Sequence, residues 1–232
     1  MNMSTLTVLV PAFNEEATII ESLKRLKKLN IFKEVIIIDD SSTDSTYNLA
    51  SKFVASDSRF KLIKTNENLG KGGALSVAKN VIQSDYVVIH DADLEYFPED
   101  IKEMFKHIGN NENILILGSR FIGNKKRKNI YTRTFFANKL MSSFFSFLNG
   151  CKITDVATCY KLMPASFFRE VDIKEMGFAF EIEIITKFLK QSRAVYEVPI
   201  KYEGRSYAEG KKIKTSDGIR YLMSTVKYRF LS

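Results

Sequence analysis

Short apolar runs alternate with amphipathic stretches along the first half of the chain. Five runs of four or five mostly apolar residues occupy positions 6–10, 35–38, 60–63, 86–89 and 114–117. Such runs are typical of strands buried on both faces of a largely parallel sheet. Between them apolar residues recur at helical spacing, as in Ile19, Leu23 and Leu26. The alternation predicts an α/β fold, a mixed and mainly parallel sheet with helices on both faces.

The second half has a different pattern, in which basic residues stand beside phenylalanine-rich sequence. The basic residues of this part are Lys125, Lys126, Arg127, Lys128 and Arg133. Five phenylalanines follow between positions 135 and 147. The pattern then predicts a helix at 179–190, a strand at 194–198, a polar loop at 203–217 and a last helix at 218–231. A polar loop of about 15 residues is long for a compact domain and indicates a functional lid.

Length and composition limit the class of protein. The chain has 232 residues, 45% of them hydrophobic, and at about 150 residues per domain we expect one large domain, with no linker dividing it. Its 35 lysines and arginines exceed its 27 acids, which gives a net charge of +8. This charge favours an anionic partner: nucleic acid, a membrane surface or a phosphorylated small molecule.

The cysteines and the apolar stretches indicate a compartment. Only Cys151 and Cys159 are present, and no leader pattern opens the chain, so we expect the reducing cytoplasm rather than a secreted disulfide scaffold. The best apolar stretch, residues 135–148, is interrupted by Asn138 and Lys139. We therefore expect no segment that spans a bilayer.

Paired acids follow two of the predicted strands. Asp39 and Asp40 end one apolar run, and Asp91 and Asp93 follow another after His90. Carboxylates one residue apart can bind one hard divalent cation and leave coordination positions for phosphate oxygens. The alternative is turn chemistry, since aspartate accepts local backbone hydrogen bonds. A second acidic strand end and a glycine-rich segment nearby favour the ligand site.

The glycine-rich segment, residues 70–73, begins a predicted helix. Its backbone N–H groups could bind an anion, or its glycines could permit close packing of the helix on the sheet. The segment is not a Walker A loop, because no serine or threonine follows Lys71 at the required spacing.

These motifs resemble one known family. Pro11, Phe13, Asn14 and Glu15, the DDSSTD of 39–44 and the DADL of 91–94 resemble family 2 glycosyltransferases of the GT-A fold, in particular the dolichyl-phosphate mannose synthase and polyprenyl-phosphate glycosyltransferase branch. Further matches extend over most of the chain: GSR at 118–120, Asp155, GFAFEIE at 177–183, EVPI at 197–200, Arg205 and Lys211.

The resemblance implies roles for individual residues. Nucleoside binding falls to Pro11, Phe13, Glu15, Ile38 and Asp40. The metal and diphosphate fall to Asp91, Ala92 and Asp93, with Glu95 where the family often has a glutamine that completes the shell of Mg²⁺ or Mn²⁺. Arg120, Arg205 and Lys211 are the cations expected around the phosphates. Together with Asp91 and Asp93 they form the expected catalytic set. Residues 1–118 then form the nucleotide-sugar half, 119–205 the acceptor half, and 206–232 a basic loop with an amphipathic helix.

The acceptor remains open between two classes. A hydroxyl needs a general base, whereas a phosphate monoester is already ionised near neutral pH. Glu181 stands where the lipid-phosphate branch commonly has glutamine, so it is either a base for a hydroxyl acceptor or an exposed helix residue, and the composition of protein surfaces favours exposure. The bulkier segment 157–161 also departs from the mannose synthases, which leaves the donor sugar open.

The last helix carries Ile219, Met223 and Phe230 on one face and Arg220, Lys227 and Arg229 beside it. This pattern suits the interface of an anionic membrane, and it equally suits a terminal helix packed on the core. We expect an enzyme that transfers a sugar with inversion from a UDP- or GDP-sugar to a polyprenyl phosphate at the cytoplasmic membrane face, with or without a separate membrane subunit. The alternatives are a hydroxyl acceptor, a nucleotide-sugar-binding protein without catalysis, and a basic nucleic-acid-binding module, which the acidic strand ends disfavour.

Overall fold

Strands and helices alternate along the chain in the computed structural model, which describes residues 4–109, 113–129, 131–191, 194–205 and 215–231. The strands are β1 Leu6–Ala12, β2 Glu34–Asp39, β3 Phe60–Lys64, β4 Tyr86–Ile89, β5 Ile114–Ser119, β6 Arg127–Lys128, β7 Lys161–Pro164, β8 Ala194–Pro199 and β9 Tyr202–Glu203. The helices are α1 Ile19–Lys27, α2 Thr46–Val54, α3 Gly70–Val77, α4 Glu99–Lys106, α5 Thr132–Asn149, α6 Ala165–Glu170, α7 Phe180–Lys190 and α8 Thr215–Phe230, with a 3₁₀ turn at Lys79–Val81.

Seven of these strands form one sheet in the order β3-β2-β1-β4-β7-β5-β8. The pairs β1–β2, β1–β4, β2–β3 and β5–β8 are parallel. Strand β7 is antiparallel to both of its neighbours, β4 and β5. Strands β6 and β9 form a separate parallel pair. The sheet is therefore mixed and mainly parallel, as the apolar pattern predicts, and it takes strands from both halves of the chain.

Burial explains the apolar runs. Every residue of β2 is buried, and because successive side chains of a strand point to opposite faces, both faces of the sheet are covered here. All six predicted strands are present. The charged first residue of β2, Glu34, is accommodated because Thr7 Oγ1 and Lys61 Nζ donate hydrogen bonds to its carboxylate.

Five elements in the second half were not predicted, namely β6, α5, β7, α6 and β9. Strand β7 has only four residues, beginning with Lys161 and ending with Pro164. The phenylalanine-rich segment is the helix α5, which ends at Gly150 in the left-handed conformation with φ 63°, as is common for a helix C-terminus. Neither α5 nor any other helix in the described ranges combines the length and apolarity needed to cross a membrane.

Tight turns follow the carboxyl ends of β1, β2 and β4. Asn14, Ser41 and Leu94 adopt positive φ angles of 51°, 58° and 65°. Asparagine tolerates this conformation, whereas a leucine there is strained. The three turns bring the motifs of residues 11–15, 39–44 and 91–95 to one edge of the sheet, where ligands bind in open α/β folds.

Candidate active site

A cavity of about 290 Å³ opens at this edge of the sheet. It is lined by most of the residues that the sequence motifs single out: Pro11, Phe13, Glu15, Asp40, Asp91, Ala92, Asp93, Glu95, Arg120 and Arg205. Lys71, Cys159, Glu181, Tyr96 and Tyr202 also contribute to its wall. Segments separated widely in sequence thus meet around one space.

Two of the predicted nucleoside residues have unexpected surroundings. Ile38 is fully buried in β2 beside Pro11 of β1, and it is absent from the cavity wall. The side chain of Ile38 therefore supports the strand beneath the site. Asp40 lines the cavity, but its carboxylate accepts hydrogen bonds from the backbone N–H groups of Leu69 and Gly70, at 2.9 and 2.8 Å. Asp40 thus fixes the start of α3.

The glycines of α3 permit a close approach, although their partner is a loop and not the sheet. A Cβ atom on Gly72 would lie 1.9 Å from the carbonyl oxygen of Glu175, and one on Gly70 2.6 Å from that of Met176. Gly72 N donates to Met176 O at 2.7 Å. The carboxylate of Glu183 in turn accepts the N–H groups of residues 174 and 175. This packing holds the N-terminal turn of α3 against the segment before α7.

Lys71 lies between these glycines and pairs with the first acid of the DADL motif. Its Nζ is 2.9 Å from Asp91 Oδ1 and 2.7 Å from Glu181 Oε1. Burial alone lowers the pKa of Lys71, but the charges of Asp91 and Glu181 raise it well above the usual value. Lys71 lowers the pKa of Asp91 in return, against the effect of burial. Both groups are therefore charged at neutral pH.

Asp93 faces a different cation. Its Oδ2 accepts a hydrogen bond from Arg205 at 3.0 Å, and the guanidinium also reaches Glu15 at 3.2 Å. Burial and the charges of Asp91 and Glu95 raise the pKa of Asp93 to about 7, although Arg205 opposes the shift. The carboxylates outnumber the cations around Asp93, so an additional positive charge would be stabilised here.

Glu95, the third predicted metal ligand, lines the cavity and accepts a hydrogen bond on each carboxylate oxygen. Tyr202 Oη donates to Glu95 Oε2 and the backbone N–H of Arg205 donates to Oε1, both at 2.7 Å. Within the described ranges, no cluster of three or more acidic, histidine or cysteine side chains is arranged to hold a metal ion. The structure thus brings Asp91 and Asp93 to one wall, with Glu95 fixing the backbone of Arg205.

The donor set fits a hard divalent cation bound jointly with phosphate. Asp91 and Asp93 offer carboxylate oxygens, which Mg²⁺ and Mn²⁺ prefer. Their side chains keep 24% and 14% of their surface exposed toward the cavity. Burial, and after it the charges of Asp91 and Glu95, raise the pKa of Asp93, and a bound divalent cation would relieve the repulsion among these acids. Two protein carboxylates leave several positions for diphosphate oxygens and water.

Arg120 is buried and already bound by an acid. Its Nε and a terminal nitrogen donate to the two oxygens of Asp155, each at 2.7 Å, and its backbone N–H donates to the same carboxylate. The guanidinium also lies 5.0 Å from the ring centroid of Tyr202. Burial lowers the pKa of Arg120, but Asp155 outweighs it and raises that pKa. Arg120 is thus a fixed positive charge in the wall.

The expectation that Glu181 is exposed is wrong. Glu181 is 2% exposed, and its carboxylate pairs with Lys71 on one oxygen and with Lys161 on the other. Most glutamates are exposed, but Glu181 is buried because two lysines from distant segments compensate its charge. A helix pattern contains no information about such partners.

Cys159 and the basic segment have surroundings that limit their roles. Cys159 is buried, and burial with the nearby Asp91 raises the pKa of its thiol well above the usual value, which agrees with a packed residue and not a nucleophile. In the basic segment, Lys125 pairs with Asp100 and Lys128 with Glu203. Lys211 and the side chain of Arg133 lie outside the described residues.

Three residues that border the cavity were not predicted as site residues: Lys71, Tyr96 and Tyr202. Lys71 has a signal in the sequence, since a lysine flanked by glycines at a helix start brings a cation close to backbone N–H groups. The tyrosines have none. The ring centroids of Tyr96 and Tyr202 lie 5.3 Å apart. The hydroxyl of Tyr96 accepts a hydrogen bond from the backbone N–H of Cys159. These contacts join the segment after β4, the segment before β7 and strand β9, and they exist only in the folded chain.

Comparison with known proteins identifies one family. Residues 7–172 match the family model described as glycosyl transferase family 2. An undecaprenyl-phosphate mannosyltransferase of Micrococcus luteus is 25% identical over 215 residues, which cover 90% of this chain and 87% of the relative. A UDP-N-acetylglucosamine–dolichyl-phosphate N-acetylglucosaminyltransferase of Methanococcus voltae is 27% identical over 241 residues, or 95% of each chain.

Solved structures show the same fold. Glucosyl-3-phosphoglycerate synthase of Mycobacterium tuberculosis with UDP superposes with a TM-score of 0.73 at 17% identity and covers 97% of this chain and 80% of the other. Its complex with Mn²⁺, UDP and phosphoglyceric acid gives 0.70 at 21% identity, covering 97% and 78%. These similarities confirm the predicted GT-A fold.

Proposed function

Because the chain belongs to glycosyl transferase family 2, we propose that it transfers a sugar from a UDP- or GDP-sugar to a polyprenyl phosphate, with a divalent metal ion and with inversion at the anomeric carbon. The observation that carries the proposal is the cavity in which Asp91, Asp93, Arg120, Arg205 and Lys71 converge. Acidic groups for a metal and cations for phosphates occur together there. Relatives named for undecaprenyl-phosphate and dolichyl-phosphate acceptors support the choice of acceptor.

The nucleoside end of the donor binds along β1 and β2. Pro11, Phe13 and Glu15 line this part of the cavity, and Asp40 fixes the backbone at its far side. Phe13 offers an apolar surface for a base, and the acids offer acceptors for ribose hydroxyl groups. The diphosphate then extends toward Asp91 and Asp93, between Lys71 and Arg205.

Asp91 and Asp93 would hold Mg²⁺ or Mn²⁺, which neutralises charge on the departing diphosphate. The protein's own cations act on the same charge. Lys71 and Arg205 border the two aspartates at 2.9 and 3.0 Å, and Arg120 is held rigidly by Asp155. Because these cations are partly or fully removed from water, their attraction for developing negative charge is strong.

A phosphate acceptor agrees with the state of Glu181. An oxygen of the lipid phosphate attacks the anomeric carbon, and the bond from that carbon to the nucleoside diphosphate breaks with its electron pair on the diphosphate. Such an oxygen carries negative charge near neutral pH and needs positioning more than deprotonation. The carboxylate of Glu181 is engaged by two lysines, which favours the phosphate acceptor over a hydroxyl that needs a base.

Exposed apolar side chains on α5 and α8 support a position at a membrane surface. On α5 these are Phe136, Leu140 and Phe147, and on α8 they are Ile219, Met223 and Phe230, all between 62% and 83% exposed. The face that α8 packs inward contains Tyr221, Thr225 and Tyr228. The apolar stripe of α8 is therefore turned away from the core, with Arg220 and Arg229 beside it, as in helices that lie in an anionic interface.

The direct test is sugar transfer to undecaprenyl and dolichyl phosphate from a panel of UDP- and GDP-sugars with Mn²⁺. We expect transfer with one donor, and a loss of at least about 100-fold in kcat for Asp91→Asn and for Asp93→Asn, since each removes a charge that binds the metal. Asp172→Asn is the matched control, because that side chain is 77% exposed. Full turnover by both cavity variants contradicts the metal assignment.

Two other outcomes separate the alternatives. Transfer to diacylglycerol or a glycan, with none to either lipid phosphate, would replace the acceptor by a hydroxyl. Salt-sensitive binding of an oligonucleotide that UDP and GDP leave unchanged would favour a nucleic-acid-binding module. Thermal stabilisation by nucleotide-sugars identifies the donor before any acceptor is known, since ligands that bind only the folded state raise its stability.

A further inference from the structure

A buried row of alternating charges runs from strand β7 to the metal-binding motif. It consists of Lys161, Glu181, Lys71 and Asp91. Lys161 pairs with Glu181 Oε2, Glu181 Oε1 lies 2.7 Å from Lys71 Nζ, and Lys71 Nζ lies 2.9 Å from Asp91 Oδ1. Exposure rises along the row, with side-chain values of 0%, 3%, 9% and 24%. Only the last three residues border the cavity.

Lys161 is the unusual member of the row. A lysine with no exposed surface is costly unless its ammonium is fully paired. Its Nζ donates to Thr158 O and pairs with Glu181. Burial lowers the pKa of Lys161, and the carboxylate of Glu181 opposes that shift. Strand β7 brings this side chain between β4 and β5 and points it to the start of α7.

The electrostatic effect of this arrangement falls on Lys71. Glu181 is one carboxylate shared by two ammonium groups, so neither neutralises it alone. Lys71 therefore retains part of its positive charge toward the cavity, where Asp91 lies. Without Lys161, the whole charge of Glu181 would act on Lys71, draw its Nζ toward α7 and reduce the attraction that Lys71 exerts on a diphosphate.

We infer that Lys161 is a positioning residue which, through Glu181, keeps Lys71 at the phosphate side of the cavity. The inference rests on the proposed function for the identity of the ligand, a nucleoside diphosphate. It does not depend on which acceptor is used. It also explains why a glutamate is tolerated at position 181 in this chain, since Lys161 supplies the second countercharge.

The test measures binding of UDP and GDP with Mn²⁺ by calorimetry, together with the unfolding temperature. We expect Lys161→Met to weaken binding of the preferred nucleotide about tenfold, because Lys71 becomes neutralised by Glu181. Glu181→Gln should strengthen binding by about threefold, because Lys71 loses a competing carboxylate, and should lower the unfolding temperature, because Lys161 stays buried without a countercharge.

The double variant Lys161→Met with Glu181→Gln should bind within about threefold of the unsubstituted protein and regain most of the lost unfolding temperature. Lys61→Met is the matched control, because Lys61 pairs with a nearly buried acid, Glu34, at 2.5 Å in a different part of the sheet. It should leave nucleotide binding unchanged.

A purely structural ion pair predicts another pattern, in which the unfolding temperature falls in both single variants and recovers in the double one while nucleotide affinity stays constant. That result overturns the inference. The proposed function is contradicted by a different result, in which the unsubstituted protein binds a nucleotide but transfers no sugar to any polyprenyl phosphate. Should the protein bind neither UDP nor GDP, both the inference and the proposed function are wrong.

Discussion

The guanidinium of Arg205 lies 3.0 Å from the carboxylate of Asp93, although the two residues are 112 positions apart in sequence. The contact depends on the end of β9. Glu203 N donates to Glu95 O, the N–H of Arg205 donates to the side chain of Glu95, and β9 pairs with β6. Arg205 thereby links the DADL turn to the basic segment beside it.

We expect Arg205→Lys to lower kcat/KM for the donor by about tenfold or more. A lysine keeps the charge but cannot contact Asp93 and Glu15 at once with a planar group. Steady-state kinetics against the donor measures the effect. Arg59→Lys is the control, since Arg59 makes a similar pair with Asp57 at 2.8 Å elsewhere. An unchanged kcat/KM would show that Arg205 does not contact the donor.

Glu181→Gln should retain more than about a tenth of kcat with a polyprenyl phosphate acceptor. The reason is that this acceptor needs no general base, whose removal typically costs about 10²–10⁴-fold. Turnover is measured well below the unfolding temperature of the variant, because the substitution leaves Lys161 unpaired. A loss of 100-fold or more would identify Glu181 as a base and favour a hydroxyl acceptor.

The exposed face of α8 should bind anionic membranes. We expect the protein to sediment with vesicles of phosphatidylglycerol and phosphatidylcholine, and Met223→Ser and Phe230→Ser each to weaken that binding about tenfold, because burying such a side chain contributes roughly 1.5–3 kcal/mol. Val81→Ser is the matched control, since Val81 is 39% exposed and lies outside α5 and α8. Equal sedimentation of all variants would contradict the assignment.

Gly72→Ala should destabilise the protein by about 1–3 kcal/mol, the usual range for overpacking. The added methyl group would meet the carbonyl oxygen of Glu175 at 1.9 Å, and that backbone is fixed by Glu183. Gly218→Ala in α8 has nothing within 4 Å of the added atom and should be neutral or stabilising. The two variants are compared by urea unfolding. Similar midpoints would show that the loop before α7 shifts to accommodate the added methyl group.

The contribution of Glu34 to stability should depend on pH. Burial raises its pKa, but hydrogen bonds from Lys61, Gln83 and Thr7 outweigh it, so the pKa in the folded protein is lowered from 4.5. A carboxyl group with a lowered pKa stabilises the folded state above its unfolded pKa and loses that contribution as pH falls. We expect Glu34→Gln to lower the unfolding temperature at pH 6, and the difference from the unsubstituted protein to shrink as pH falls below about 4 through the lowered pKa of Glu34.

Local pattern was sufficient for the parallel part of the sheet. Strands β1, β2, β4 and β5 are mostly apolar and almost entirely buried, and coverage of both faces is the physical cause of that composition. The edge strands β3 and β8 are only partly buried and were predicted from shorter apolar runs. The acids and the small set of motif residues after β1, β2 and β4 could also be predicted, because turns at the ends of parallel strands meet at one edge of the sheet. This is why most of the predicted site residues border a single cavity.

The sequence by itself thus determined the class of fold, the edge of the sheet that holds the site and the two aspartates of the DADL motif. Only the tertiary structure decided that Ile38 supports the strand, that Glu95 binds Tyr202 and Arg205, and that Glu181 lies buried between Lys71 and Lys161. The spacing of apolar residues within a single strand or helix indicates which of its side chains are buried. Ion pairs leave no such pattern in the local sequence. Each partner comes from a different segment, and the pair is stabilised only when the fold excludes water from both charges.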